Sequence, residues 1–135
     1  MLSFDESASY LDDIVAELPQ ELFRSLNGGV YLVTECKASP TVKGMFVLGQ
    51  YFKSKQMGRY IFVYYGSFLR VYRNAGDDVW RRRLKEVLIH ELTHHNESLA
   101  GLHDLELKDK IQQDVYNSTG VYIPTGDIKL FKEDT

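Results

Sequence analysis

Residues 77–101 carry the strongest structural pattern in the sequence, because their apolar side chains recur every three or four positions. This spacing places the apolar side chains on one side of an α-helix. They form a stripe made of Val79, Trp80, Leu84, Val87, Leu88 and Leu92. Asp77 or Asp78 suits the start of the helix, where acidic groups are favoured, and Gly101 is a common type of residue for a helix end. The segment therefore predicts one long amphipathic helix with its charged face in solvent.

Weaker patterns elsewhere indicate strands and shorter helices. Residues 7–26 have helical spacing that Pro19 interrupts, so we expect two short helices there. Runs rich in β-branched and aromatic residues predict strands at residues 30–36, 43–52 and 59–65. Further helices are expected at residues 66–72 and 105–116. The simplest arrangement of the strands is a small sheet of about three.

Length and composition are those of one globular domain. The chain has 135 residues, of which 44% are hydrophobic, so we expect a single domain over residues 1–135. A net charge of −3 argues against a nucleic-acid partner, and the one cysteine, Cys36, excludes an internal disulfide. The N-terminus lacks the pattern of a secretory signal, and the most apolar stretch, residues 60–69, is too short to span a membrane. We therefore expect a cytoplasmic protein without a membrane partner.

Two histidines and a glutamate on the long helix have the spacing of a catalytic zinc site. His90 and His94 are four residues apart, so their side chains lie one turn apart on the same helix face and can hold one metal ion. Glu91 lies one position further round the helix, where it can take a proton from the water that the metal activates and deliver it to the leaving group. The alternative is that these are ordinary histidines at the surface or the edge of the core.

A catalytic zinc normally has three protein ligands and one water, so a third ligand is required. The candidates that follow the motif are Glu97, His103, Asp104 and Glu106. Glu97 lies on the ligand face and could bind the metal, support a ligand imidazole from behind, or be solvated. The other three follow Gly101, where a reversal of the chain could return them to the metal. No methionine follows Met57, which excludes the methionine turn of the metzincins downstream of the motif.

Four short segments are similar to those of a known protein family, and the segment around the histidines is the most specific. They are LPQEL at 18–22, LGQY at 48–51, RYIFVY at 59–64 and VLIHELTHH at 87–95. In these segments the chain resembles the small bacterial zincin-like metallopeptidases, or mini-zincins, over nearly its whole length. The resemblance implies a compact, zincin-like α+β domain with the motif helix packed on a small sheet. It also implies peptide-bond hydrolysis, with Zn²⁺ as the cofactor and peptides or proteins as substrates.

The resemblance also ranks the candidates for the third ligand. Members of this family typically continue the motif with Gly-x-x-Asp, and the aspartate is the proposed ligand. In this chain the element occurs as Gly101 to Asp104, four residues later than in the family, which is about one helical turn. Asp104 therefore ranks first, ahead of Glu97 and then of His103 and Glu106.

Some features of substrate binding follow from zincins in general. An extended peptide lies along an edge strand above the metal, and residues 43–52 are the candidate strand. The candidate donors to the developing oxyanion are Tyr64, Tyr65, Tyr116 and Tyr122.

Two other functions stay open: a different metal-dependent hydrolase, such as an amidase or nuclease, and a scaffold that binds a partner without catalysis. The low positive charge argues against a nuclease, and the presence of Glu91 argues against a scaffold without catalysis. The sequence specifies neither the substrate nor the oligomeric state.

Overall fold

The computed structural model describes residues 1–100 and, for the backbone alone, residues 130–132. The first helix, α1, is Phe4–Glu17. Ser3 caps it, because its hydroxyl accepts a hydrogen bond from the Glu6 N–H while the Glu6 carboxylate accepts one from the Ser3 N–H. Pro19 then separates α1 from a short 3-10 helix, Gln20–Phe23. The predicted interruption at this proline is confirmed.

Two sheets of three strands each are present among the described residues. Their strands are β1 (Gly29–Val33), β2 (Lys37–Ala38), β3 (Met45–Val47), β4 (Gly49–Ser54), β5 (Gly58–Tyr64) and β6 (Leu130–Lys132). In the first sheet β5 is central, parallel to β1 and antiparallel to β4. In the second sheet β3 is central and antiparallel to both β2 and β6. Within the described part of the chain, β1 and β4 are therefore the two edges of the first sheet.

The segment at residues 43–52 is two strands in different sheets, so the prediction of a single strand was wrong. Leu48 lies between β3 and β4, is fully buried, and accepts a hydrogen bond from the Tyr64 N–H at 2.8 Å. At Gly49 the chain comes so close to the long helix that a Cβ atom would lie 2.5 Å from the Val87 Cγ1. The sequence contains no sign of this change of sheet, because both halves have apolar and aromatic residues typical of strands.

The predicted strand at residues 30–36 ends earlier than expected, at Val33. The next three residues cross the start of the second helix, α2, which is Tyr65–Tyr72. A Cβ atom on Gly66 would lie 2.6 Å from the Thr34 carbonyl oxygen and 2.7 Å from the Cys36 nitrogen, so only glycine permits this approach. The chain then enters β2 in the second sheet. That sheet was not predicted, because its strands contain only two or three residues each.

The long helix, α3, is Asp77–Ala100 and packs against β4, β5 and α1. Its predicted apolar stripe is buried, apart from Val79, which is half-buried. Near the start of α3, the buried Trp80 donates a hydrogen bond from its indole N–H to the Ser7 hydroxyl of α1 at 3.0 Å. The predicted long helix is therefore confirmed, and its N-terminal half is fixed against α1.

The helix predicted at residues 105–116 lies outside the described residues and stays a prediction. The single domain over residues 1–135 also stays a prediction. In the part of the chain that the structure describes, no helix combines the length and apolar character needed to cross a membrane. The cytoplasmic location stays a prediction from the sequence. The described helices and mixed sheets confirm the α+β class.

Candidate metal centre

Helix α3 brings the His90 and His94 side chains together. Their Nε2 atoms are 3.0 Å apart, and the two rings are nearly perpendicular, with centroids 4.6 Å apart and an interplanar angle of 87°. His90 is buried, whereas His94 is half-buried and so reaches toward the surface. The two nitrogens converge because residues four apart stand one turn apart on the same helix face. The structure thus places the predicted pair at one point.

The separation of these nitrogens suits two ligands of one zinc ion. Zinc–nitrogen bonds of roughly 2.0–2.1 Å in a tetrahedral arrangement place two ligand nitrogens about 3.3 Å apart, close to the observed 3.0 Å. The same distance also fits an N–H···N hydrogen bond between the two rings. Neutral imidazole is a favoured zinc ligand, so both the geometry and the chemistry of the pair fit the metal.

The described residues do not by themselves complete a set of three metal ligands. Among residues 1–100 no group of three His, Cys, Asp or Glu side chains is arranged to hold a metal ion. Glu97, which is half-buried one turn beyond His94, is therefore not part of such a group. The other candidates, His103, Asp104 and Glu106, lie outside the described residues. The third ligand stays a prediction.

Glu91 lies on the side of α3 that faces the sheet and is fully buried. A Cβ atom at Gly49 would lie 3.3 Å from the Glu91 Cγ, so this side chain packs beside the first residue of β4. Glu91 is also the residue next to His90 on the helix. The Glu91 side chain therefore packs against the edge strand β4, directly after one of the two candidate metal-binding histidines in the sequence.

Tyr64, the first of the tyrosines predicted to stabilise an oxyanion, lies near this carboxylate. Its hydroxyl donates a hydrogen bond to the Gln50 Oε1 at 2.9 Å. Burial raises the pKa of Tyr64 to about 12, with smaller contributions from the nearby charges, including that of Glu91. The raised pKa keeps the hydroxyl protonated even in alkaline solution, so it remains a hydrogen-bond donor.

Tyr65, the second of these tyrosines, is not brought to the site. Its hydroxyl donates to the Leu2 carbonyl oxygen at 2.8 Å, and its ring packs against Trp80 with centroids 5.8 Å apart. Trp80 precedes His90 by ten residues, which is about 15 Å along the helix. Tyr65 therefore supports the N-terminal half of α3. Tyr116 and Tyr122 lie outside the described residues.

The neighbouring histidine, His95, points into the protein. It is fully buried, with its Nε2 2.8 Å from the Arg24 carbonyl oxygen and its Nδ1 2.8 Å from the Tyr51 hydroxyl. A carbonyl oxygen can only accept, so Nε2 carries the proton and Nδ1 accepts from the tyrosine. Burial lowers the pKa of His95, which agrees with this neutral ring. Both nitrogens are thus engaged within the protein, and His95 is not available to a metal.

The contacts of His95 belong to a larger polar network, in which the Tyr51 hydroxyl connects His95 to Arg59. Arg59 donates from one nitrogen, Nη1, to this hydroxyl and to the Ser98 hydroxyl, each at 2.9 Å. Beside His95, the Asn96 amide donates to the Leu22 carbonyl oxygen at 3.0 Å. The network joins β4, β5, the 3-10 helix and its following turn to the C-terminal half of α3. It therefore fixes the part of the helix that carries the candidate metal ligands.

The sequence analysis missed this network, although one feature of the sequence points to it. His95 follows Leu88 by seven residues and Leu92 by three, which places it on the buried face of the helix. A buried histidine must find hydrogen-bond partners, since an unsatisfied polar group in the core is costly. The identity of those partners depends on how the sheet packs and cannot be read from the helix alone.

We expect Tyr51→Phe to lower the free energy of unfolding by about 1–3 kcal/mol, because the buried Nδ1 of His95 loses its hydrogen-bond donor. The matched control is Tyr31→Phe, whose side chain is 48% exposed and which should change that free energy by less than about 0.5 kcal/mol. Urea denaturation of both variants measures the difference. Equal losses in the two variants would contradict a structural role for the network.

Fold and site together define a class of protein. A long helix that presents His90, Glu91 and His94 beside a small mixed sheet is the arrangement of zincin-type metallohydrolases. A sequence profile described as zincin-like metallopeptidase matches residues 33–113, which is more than half of the chain. The chain belongs to the zincin-like metallopeptidase family.

A solved structure supports the same fold. It is that of a conserved hypothetical protein from Thermo thermophilus, which is 34% identical in sequence, and the superposition has a TM-score of 0.64. The match covers 73% of this chain and 98% of that chain. No curated protein matches the chain. Membership in the family supports a metal-dependent peptidase that acts on peptides or proteins, and the finer assignments are proposals.

Proposed function

We propose that this protein is a zinc-dependent peptidase that hydrolyses peptide bonds with Glu91 as its general base. The observation that carries the proposal is the convergence of the His90 and His94 Nε2 atoms, 3.0 Å apart, beside the fully buried Glu91. The fit of the paired nitrogens to zinc and the membership in a metallopeptidase family both support it.

Each group in the proposed site has a distinct role. His90 and His94 would hold the zinc together with Asp104, the proposed third ligand. Bound zinc supplies Lewis acidity, which lowers the pKa of a water molecule to roughly 7. Glu91 would take a proton from the attacking water and then give it to the departing amine. The Tyr64 hydroxyl is the proposed donor to the developing oxyanion, and it would give up its hydrogen bond to the Gln50 Oε1 to take this role.

Strand β4 is the proposed support for the substrate. It is an edge of the first sheet in the described part of the chain, and it begins beside Glu91. An extended peptide could pair with its backbone and so be held next to the general base. Only the second half of the strand predicted at residues 43–52 has this position, since the first half belongs to the second sheet.

Removal of the metal tests the proposed function. We expect the purified protein to cleave members of a mixed peptide library, to lose this activity in a chelator, and to regain it with about one equivalent of zinc per chain. Mass spectrometry of the library identifies the products. Zinc-loaded protein that cleaves no peptide in the library would contradict the peptidase and favour a binding scaffold. Cleavage that survives complete removal of the metal would contradict its dependence on zinc.

The third ligand is tested by four single variants, Glu97→Ala, His103→Ala, Asp104→Ala and Glu106→Ala. We expect Asp104→Ala to weaken zinc binding the most, by at least about tenfold, since the site would keep only two protein ligands. Competition with a chromogenic chelator measures the affinity of each variant. A loss confined to Glu97→Ala would place the ligand in α3 itself. If none of the four weakens zinc binding, the ligand is outside residues 97–106.

A further inference from the structure

Three cations line an open depression at the far end of β4, where the chain turns back into β5. They are Lys53, Lys55 and Arg59, and every other residue of the lining is neutral. None of the three cations forms an ion pair with a residue that the structure describes. Within the described part of the chain, the positive charge of the depression is therefore not neutralised by a carboxylate.

The sequence around β4 is positively charged over a long stretch. Residues 36–76, which include strands β2 to β5 and helix α2, contain seven lysines or arginines and no aspartate or glutamate. The whole chain has a net charge of −3, so its positive charge is concentrated on this part. The strand proposed to support the substrate thus lies where the local field attracts negatively charged ligands.

Lys53 and Arg59 lie directly opposite each other in the pairing of β4 with β5. Side chains alternate along β4, which places Lys53 on the same face as Gly49 and Tyr51, and this face is the one that α3 covers. Like charges directly opposite each other destabilise a sheet. A bound anion would relieve this repulsion, so the pair is suited to a negatively charged group.

The Arg59 guanidinium is held in place by neutral groups. Its Nη1 donates to the Tyr51 hydroxyl of β4 and to the Ser98 hydroxyl of α3, each at 2.9 Å. These side-chain hydrogen bonds to described residues use one guanidinium nitrogen, which leaves the N–H groups of Nε and Nη2 for a ligand. A guanidinium fixed in this way loses little freedom when it binds a carboxylate.

The distance along β4 relates this pair to the proposed base. The strand begins at Gly49, beside Glu91, so the bond to be cleaved in a peptide on β4 would lie near this end. Lys53 is four residues further along, which is about 13 Å in a strand. A substrate side chain opposite Lys53 would point to the same face, about 4.8 Å from Lys53 and about twice as far from Arg59 across the sheet. Both long side chains could reach a carboxylate at this position.

We propose that Lys53 and Arg59 form a subsite for an acidic side chain of the substrate, about four residues from the bond that is cleaved. This inference rests on the proposed function, since it takes β4 as the strand that holds the substrate. The peptidase then prefers a glutamate or aspartate at that position over a neutral residue. In a substrate antiparallel to β4 the acidic residue precedes the cleaved bond, and in a parallel substrate it follows the bond.

Cleavage of a peptide series by the zinc-loaded full chain tests this preference. The series starts from one peptide that the protein cleaves, and it carries glutamate, or glutamine as the control, at one position at a time on both sides of the bond. We expect glutamate to raise the rate at least about threefold over glutamine at a position about four residues from the bond. The difference should shrink in about 0.5 M salt, because exposed charges are screened. Mass spectrometry measures the rates.

A matched pair of variants locates the subsite. Lys53→Glu reverses a charge of the depression, whereas Lys43→Glu makes the same change at an exposed lysine outside its lining. We expect Lys53→Glu to abolish the preference for glutamate and Lys43→Glu to retain it. Thermal melts establish that both variants are folded.

Binding is measured separately, so that failure of the subsite and failure of the peptidase can be distinguished. The probes are two neutral-capped peptides of ten residues that differ only in carrying glutamate or glutamine near both ends. We expect the glutamate peptide to shift the amide NMR resonances of residues 49–55 and to bind at least about threefold more tightly than its control. Inorganic phosphate is titrated in a third sample.

The possible results lead to different conclusions. Cleavage without a preference for glutamate at any position would overturn the subsite and leave the peptidase intact, and so would equal effects of Lys53→Glu and Lys43→Glu. Equal binding of the two ten-residue peptides would also overturn it. Tighter binding of the glutamate peptide at residues 49–55 without any cleavage would support the acidic-ligand site and contradict the peptidase. Phosphate that shifts the same resonances as tightly as the glutamate peptide would overturn the substrate subsite and assign the depression to small free anions.

Discussion

Glu91→Gln is expected to lower the rate of peptide-bond hydrolysis by about 10²–10⁴, because it removes the group proposed to accept a proton from the attacking water. Glutamine has nearly the same shape as glutamate but is not basic at neutral pH. Zinc binding should persist, since the proposed ligands are His90, His94 and Asp104. A lower rate with zinc still bound would therefore come from the loss of the base and not from the loss of the metal.

The surroundings of Glu91 make this conservative change the appropriate one. The side chain is fully buried and packs beside Gly49, so a larger residue would disturb the contact between α3 and β4. The matched control is Glu86→Gln on the same helix, where the glutamate is paired with Arg83 and half-buried. We expect the control to cleave the peptide library at the rate of the unmodified protein.

Three measurements are needed for each of these two variants: initial rates of cleavage by mass spectrometry, zinc content by elemental analysis, and the melting temperature. In Glu91→Gln only the rate should fall. Undiminished cleavage would exclude Glu91 as the general base. A parallel fall in rate and in zinc content would instead mean that Glu91 holds the metal, directly or through a neighbour.

The central pair of the site could be predicted because its geometry is local. In an α-helix, residues four apart share a face whatever the helix packs against, so the sequence alone placed the His90 and His94 side chains together. The partners of His95 are different, since Arg24 and Tyr51 are remote in sequence and meet it only after α3 has packed on the sheet. A third ligand from beyond Ala100 depends in the same way on the path of the chain. Local spacing therefore places the two proposed ligands and the proposed base but not the whole site.

The fold shows the same division between local and long-range effects. Helices α1 and α3 follow from their apolar spacing and from residues such as Pro19. The passage from β3 to β4 at Leu48 follows from tertiary packing, because the next residue, Gly49, must lie against Val87 of α3. The end of β1 at Val33 is set in the same way by the crossing of the chain over α2. Neither event changes the hydrophobic pattern, so the sequence predicted longer strands than the structure has.

The double variant His90→Ala/His94→Ala is expected to lose zinc almost completely, from about one ion per chain, because two of three proposed ligands are removed. The doubled histidine of the motif provides a matched control. His95 is adjacent to His94, but both of its ring nitrogens have partners inside the protein. We therefore expect His95→Gln to keep its zinc and to lower the free energy of unfolding by about 1–3 kcal/mol.

Zinc should therefore be lost from the double variant and retained by His95→Gln. Elemental analysis of protein purified without chelators measures the zinc, and urea denaturation in the presence of a chelator measures stability without any contribution from bound metal. Equal zinc content in the double variant and the unmodified protein would exclude His90 and His94 as the ligands. Loss of zinc in a folded His95→Gln variant would mean that the buried network is required for metal binding as well as for stability, since His95 holds the segment of α3 that carries His94.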